Sequence, residues 1–239
     1  MTWIKKSKKH EQKFQKLQQL PADKITTIGI YKVCFEEEFI VGEGSEGTCV
    51  YIGLSDDGNE VAVKRMLTHI CGDLAENERK ILTMIKMEQS KHIVRYRYCK
   101  SGNPFTFLVL ELCEETLTDY VRAHNEEYLV SRAPIIIQEI LTGLLDLHGN
   151  REQERILHRN LKPSNILVDV LGHMRLADFG ISKKVEEGKP QKLICLKKIK
   201  LQNKGFRQWC IYVHVCVLYS ITVCIAIHVC VLYSITVCI

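Results

Sequence analysis

Phe39–Lys64 reads FIVGEGSEGTCVYIGLSDDGNEVAVK, and this stretch decides the fold. Inside it, Gly42-Glu43-Gly44-Ser45-Glu46-Gly47 matches GxGxxG, a pattern that alone is weak because dinucleotide sites and chance loops share it. The segment after the loop separates the readings. A dinucleotide loop runs directly into a helix. Here Cys49–Leu54 and Val61–Arg65 are rich in β-branched and apolar residues and read as strands, with Asp56-Asp57-Gly58 between them as a hairpin turn. Phe39–Val41 supplies a strand before the loop. The order is strand, glycine loop, strand, turn, then a strand carrying Lys64. Glycines in such a loop let backbone N–H groups approach phosphate oxygens without Cβ obstruction, and a lysine adds a compact positive charge. The competing reading is a Gly-rich hairpin with a surface lysine.

Two later segments bear on that choice: His158-Arg159-Asn160-Leu161-Lys162-Pro163-Ser164-Asn165, and Asp178-Phe179-Gly180. With the glycine loop and the strand lysine they stand in the order and spacing of protein kinase signatures. From about Phe39 to Lys184 the chain resembles a eukaryotic protein kinase domain. The resemblance implies an α+β kinase-like fold with a complete small lobe and a partial large lobe, and it implies ATP and magnesium as ligands. It places Gly42, Glu43, Gly44 and Gly47 at the phosphates and Lys64 at the α and β phosphates. Val50, Ala62 and Leu167 would sandwich the adenine, and Glu111 to Cys113 would form the hinge that reads its edge. Asn165 and Asp178 would hold magnesium, and Lys162 would approach the transferred phosphate. Glu78 would pair with Lys64 from a helix over residues 74–86, with Glu76 as runner-up; the alternative for either is a solvated helix charge. The lysine after Leu161 is the serine/threonine-kinase form of this loop.

A narrower likeness lies in Glu46-Gly47-Thr48-Cys49-Val50-Tyr51, in Val61-Ala62-Val63-Lys64-Arg65, and in Glu111-Leu112-Cys113 followed by Thr116-Leu117 and Tyr120-Val121. In these the chain is similar to the inositol-requiring stress-sensor kinase/endoribonucleases, with ribonuclease L a more distant relative. That family joins a luminal sensor, a membrane span, a kinase and a ribonuclease domain. Only the first part of the kinase is recognisable here, and neither a luminal sensor nor a ribonuclease domain is expected in the chain.

Two departures from the family pattern limit what carries over. Asn160 stands where the family has the catalytic aspartate. A carboxylate accepts both the hydrogen bond and the proton of a substrate hydroxyl, whereas a neutral amide accepts only the hydrogen bond. Such a base contributes about 10²–10⁴ in rate, so impairment is expected. After Lys184 there is no Ala-Pro-Glu and no large-lobe completion, which is expected to leave apolar helix surface uncovered. Three readings remain: an impaired ATP-binding kinase-like protein acting through protein contacts, an active serine/threonine kinase, and a gene fragment without selected function.

Around this domain the chain divides into a basic arm (1–24), the partial kinase domain (25–188), a Lys-rich connector (189–208) and an apolar tail (209–239). Residues 1–20 of the arm carry Lys5, Lys6, Lys8, Lys9, Lys13 and Lys16 against Glu11 alone, enough to supply the whole net charge of +5. With the rest balanced, no nucleic-acid partner is expected. The arm reads as a solvated helical extension, with a membrane-surface or nuclear-localising role as the alternative. Eleven cysteines lack CxxC or zinc-ligand spacing and fit reduced thiols in the cytoplasm. The domain opens strand-rich, with Ile28–Val33 first. It turns helical at residues 74–86, at Leu117–Arg122 and at Arg132–His148, where Ser131 reads as the N-cap and Pro134 falls in the first turn.

In the tail, His214–Ile225 recurs unchanged as His228–Ile239, and Ile211–Ile239 holds no charged residue over 29 positions behind a lysine-rich flank. Such a length spans a bilayer and would place the chain at the endoplasmic reticulum membrane as a tail anchor. The favoured reading is recent duplication or translated repetitive sequence, and a β-prone aggregating segment is the third.

Overall fold

The computed structural model describes residues 6–85, 90–148, 155–185, 196–202, 207–217 and 223–233, the last three by backbone alone. Most of the connector, the middle of the first repeat copy and the end of the second lie outside the described residues.

After helix α1 (Glu11–Gln19) the chain forms β1 (Thr26–Ile28), β2 (Tyr31–Val33), β3 (Ile40–Glu43), β4 (Cys49–Ser55) and β5 (Glu60–Leu67). Helix α2 (Thr68–Met84), β6 (Tyr96–Lys100) and β7 (Phe105–Glu111) come next. These strands make one antiparallel seven-stranded sheet in the order β1-β2-β4-β5-β7-β6, with β3 also on β4. The expected strand over residues 28–33 is two strands, because Gly29 takes a positive φ of 63° and turns the chain. At the β4–β5 hairpin, Gly58 donates its N–H to the Ser55 carbonyl, and the register sets Val50 opposite Lys64.

Helix α2 begins six residues before the expected start. It buries Cys71, Ala75, Glu78, Ile81 and Leu82, a stripe at helical spacing that packs against the sheet.

The second half is built from β8 (Glu115–Thr116), α3 (Leu117–Ala123), α4 (Glu126–His148), β9 (Ile156–Leu157), β10 (Ile166–Val168), β11 (Met174–Leu176) and β12 (Lys183–Lys184). Helix α4 differs from its expected start. Asn125 Oδ1 accepts the Tyr128 N–H at 2.9 Å, which caps the helix there, and Glu126 and Glu127 in the first turn suit the positive end of the helix dipole. Ser131 Oγ instead donates to the Tyr128 carbonyl, and Pro134 lies inside the helix, where it omits one hydrogen bond. Ile136, Ile140, Leu144 and Leu147 are buried together, while Val130, Ile135 and Leu145 on the same helix are exposed. This is an α+β arrangement with a partial large lobe.

The arm is helical but not solvated. Phe14 and Leu17 of α1 are buried in the core with Ile28, Val33 and Phe39, and Lys16 pairs with Glu38 on the outer side. Its amphipathic spacing, not its net charge, determines where it sits. In the tail, β13 (Leu196–Gln202), β14 (Arg207–Val217) and β15 (Val223–Tyr233) form an antiparallel sheet in that order, so the described part of the candidate bilayer span is extended, not helical. Its Val, Ile, Cys and Tyr content favours extended backbone.

Candidate functional site

Between the sheet and the α3–α4 half lies a cleft of about 490 Å³. Its roof is the β3–β4 loop. Gly44 donates its N–H to the Thr48 carbonyl at 2.8 Å and Thr48 returns one to Ser45 at 3.1 Å, a tight turn that needs Gly47 at φ 73°. Gly42, Glu43 and Gly44 line the cleft; Gly47 shapes the turn without lining it. Glu46, also left-handed at φ 59°, accepts from the Cys71 thiol at 3.4 Å, which ties the loop to α2.

Lys64 projects from β5 into the cleft. Its Nζ lies 2.7 Å from Glu78 Oε2 and 3.4 Å from Asp178 Oδ1. Burial works against the charged amine, but the two carboxylates outweigh it and hold Lys64 above its ordinary value. Glu78 is 1 % exposed, and its Oε1 accepts the Phe179 N–H at 3.4 Å. Glu76 faces outward to Arg79 and Lys80, and its hydrogen bonds from Arg79 hold its carboxyl down to about 2. Of the two acidic candidates on α2, Glu78 is the one that meets the lysine.

On the opposite wall, a 3₁₀ turn at Pro163–Asn165 aims Asn165 inward. Asn165 Nδ2 donates to Asp178 Oδ2 and to the Asn160 carbonyl, each at 2.9 Å. Asn160 Nδ2 donates to the same Asp178 Oδ2 at 2.7 Å. Arg159 (φ 61°) and Asp178 (φ 65°) both sit in the left-handed region, so backbone strain concentrates at this wall. The strain is held by packing. Phe179 is fully buried with its ring 4.7 Å from that of His158, and His158 Nε2 lies 3.0 Å from the Ala177 carbonyl. From α2, Asn77 Nδ2 donates to the carbonyls of Phe179, Gly180 and Ser182, which fixes the segment after Asp178.

Val50, Ala62, Leu110, Cys113 and Leu167 line the apolar end of the cleft, and Lys162 lies along its floor. Glu111 uses its N–H on the Arg95 carbonyl at 2.8 Å and turns its carboxylate to Arg175, 3.6 Å away. Burial pushes the Cys113 thiol well up, so it is a neutral apolar wall group. Among the described residues no cluster of three or more His, Cys, Asp or Glu side chains is placed to hold a metal. Asn165 and Asp178 offer the oxygen donors that a hard cation such as magnesium takes in small number, its remaining positions kept by water or phosphate, so the pair fits that ion.

Three contributors to this cleft carried no signal in the motifs. Lys9 and His10 of the arm line its mouth, held there by Glu114 just beyond the hinge. Asn77 is the third, and nothing in an isolated helix sequence marks it as a clamp on the next lobe.

The family model for the protein kinase domain matches residues 35–200. The chain is 32 % identical over 180 residues to serine/threonine-protein kinase/endoribonuclease IRE2 of Homo sapiens, covering 73 % of this chain and 18 % of that protein. It is 36 % identical over 164 residues to serine/threonine-protein kinase/endoribonuclease ire-1 of Caenorhabditis elegans, covering 66 % and 16 %. It is 35 % identical over 160 residues to the sensor for unfolded proteins in the ER ire1 of Schizosaccharomyces pombe, covering 62 % and 14 %. The chain thus spans less than a fifth of the length of each of these relatives. A match over most of the chain, joined to this fold and this cleft, shows that the chain belongs to the protein kinase domain family.

Proposed function

We propose that the cleft binds magnesium-ATP and that the chain is a serine/threonine-type kinase domain of the stress-sensor kind whose phosphoryl transfer is impaired at Asn160. The observation that carries this reading is Lys64, bonded to Glu78 on one side and facing Asp178 on the other beneath a glycine loop. In it, the loop amides and Lys64 receive the phosphates. Val50, Ala62 and Leu167 hold the adenine, and Glu111 and Cys113 supply the hinge backbone. Asn165 and Asp178 hold magnesium, which when bound neutralises phosphate charge. Lys162 stands where the transferred phosphate would lie.

Impairment rests on Asn160. Its amide has no basic lone pair for a hydroxyl proton, and its Nδ2–H is already given to Asp178. Loss of a base costs about 10²–10⁴ in rate, and positioning and charge alone leave a slow residual transfer. The protein would then act through contacts with other proteins, in the cytoplasm. The second reading, an active kinase, is favoured by the closed Lys64–Glu78 pair and the buried Phe179, which leave the cleft assembled.

Transfer of radiolabelled γ-phosphate from ATP to the chain itself and to a basic protein substrate separates the two. Transfer within tenfold of background supports impairment; multiple turnovers per minute would establish the active reading.

A further inference from the structure

The arm crosses the mouth of the cleft as a strap, and its attachment converges on one side chain. Glu114 Oε2 accepts the Ser7 hydroxyl at 2.8 Å and the Lys9 N–H at 3.0 Å, while Oε1 accepts the Lys8 N–H at 3.0 Å. The Glu114 carbonyl meets His10 Nε2 at 3.0 Å. Ser7 is 3 % exposed and sits between two carboxylates: its N–H donates to Glu60 Oε2 at 2.6 Å, and its Oγ, which donates to Glu114, also accepts the His10 N–H at 3.0 Å. Lys9 Nζ pairs with Glu115 at 2.7 Å. Farther along, Phe14 and Leu17 anchor α1 in the core independently of these bonds.

Ser7 also lies in Lys5-Lys6-Ser7-Lys8-Lys9, a charge run that the cleft does not explain. A serine with lysines on both sides suits a kinase that selects basic flanks, because its acidic peptide groove is attracted to that run. We propose that Ser7 is a phosphorylation site and that the Ser7–Glu114 contact is the latch it opens. Oγ attacks the γ-phosphorus of ATP bound to the modifying kinase. The new Oγ–P bond forms as the bond to ADP breaks, and the hydroxyl proton leaves to that kinase's base.

The product cannot re-dock. The hydroxyl donor is gone, and a group of charge near −2 would face Glu114 at hydrogen-bond distance, with a second carboxylate, Glu60, held on the same residue's N–H. The segment is reached by local opening of the arm ahead of α1, and the phosphate then traps the opened state. Release stops at α1, whose apolar anchors are untouched. Opening the mouth of a nucleotide cleft is the consequence, and that consequence alone rests on the proposed binding of ATP.

The latch is tested without nucleotide. The full chain is incubated with ATP and a basic-directed serine kinase, freed of both, and compared with untreated chain, Ser7→Ala and Ser7→Asp by hydrogen exchange over residues 6–20. Mass analysis is expected to place one phosphate on Ser7, and none there in Ser7→Ala. Amides of residues 8–10 should exchange at least tenfold faster in the phosphorylated chain and in Ser7→Asp, and less than threefold faster in Ser7→Ala. Residues 14–19 should keep their protection. Glu114→Gln, which keeps an acceptor oxygen without the charge, should shrink the acceleration caused by Ser7→Asp. Failure to modify Ser7 overturns the site. Equal exchange in all forms, or equal acceleration by Ala and Asp, overturns the latch. Neither result depends on whether the cleft binds ATP.

Discussion

Asn160 and Asn165 donate their side-chain amides to one and the same oxygen, Oδ2 of Asp178, at 2.7 and 2.9 Å. Two neutral donors stabilise a carboxylate that Lys64 reaches only from its other oxygen, at 3.4 Å. Replacing Asn160 by aspartate converts one donor into a like charge at contact distance. Asn160→Asp is therefore expected to lower stability in metal-free buffer by about 1–3 kcal/mol, the penalty of a lost and reversed polar contact. Magnesium, binding at Asn165 and Asp178, should offset that loss. Thermal melts of both forms with and without magnesium test this, and an identical magnesium response in the two would show that Asn160 does not sense the Asp178 charge.

Glu78 and Glu76 lie two residues apart on α2 with opposite surroundings. Glu78 is buried against Lys64, whereas Glu76 is a surface partner of Arg79 and Lys80. Removing one partner of a buried pair costs about 3–5 kcal/mol, and Asp178 remains to share Lys64, so Glu78→Gln should cost about 3 kcal/mol. Glu76→Gln should change stability by less than about 0.5 kcal/mol. Urea unfolding midpoints of the two variants give the comparison.

Asp169 offers a pH test. It is 3 % exposed; burial alone would raise its carboxyl, but the His173 N–H at 3.0 Å, the Arg175 guanidinium at 2.7 Å and the Leu171 N–H at 2.8 Å outweigh this and hold it below its ordinary value. The unfolded chain therefore takes up the proton first as the pH falls. The contribution is fully present above the ordinary carboxylate value of about 4 and is lost as the pH drops through the lower folded value. Asp169→Asn should be less stable at pH 7 by about 3 kcal/mol, since it leaves the buried Arg175 only the more distant Glu111 carboxylate, 3.6 Å away. It should also show a shallower loss of stability between pH 5 and 3. A parallel pH profile in variant and parent would contradict the assignment.

Local chemistry is the part of this protein that its sequence makes legible. The glycine loop, the Asp56-Asp57-Gly58 turn and the alternation around Lys64 give β3, β4 and β5 nearly in place, because their backbone needs are set within a few residues. The choice of Glu78 over Glu76 is legible through the family pattern alone; a helix stripe identifies a buried face, not a partner 14 residues away. The start of α4 differs from expectation because Ser131 and Pro134 look like an N-terminus, while the cap that forms is Asn125, backed by two glutamates. The arm departs from expectation for a similar reason. Its lysines dominate the composition, but Phe14 and Leu17 determine its place and Glu114, a hundred residues on, fastens its start.

The central claim, magnesium-ATP in the cleft held by Lys64 and Asp178, is tested most directly by equilibrium titration of the full chain with a fluorescent ATP analogue. It is run with and without magnesium and repeated for Lys64→Ala and Asp178→Ala. Binding should weaken at least tenfold on removing magnesium and in each variant, the loss expected when a charge-assisted contact of about 1.5–3 kcal/mol is removed. In Asp178→Ala the dependence on magnesium should largely disappear. Affinity unchanged by both substitutions, or no saturable binding by the folded parent chain, would contradict it.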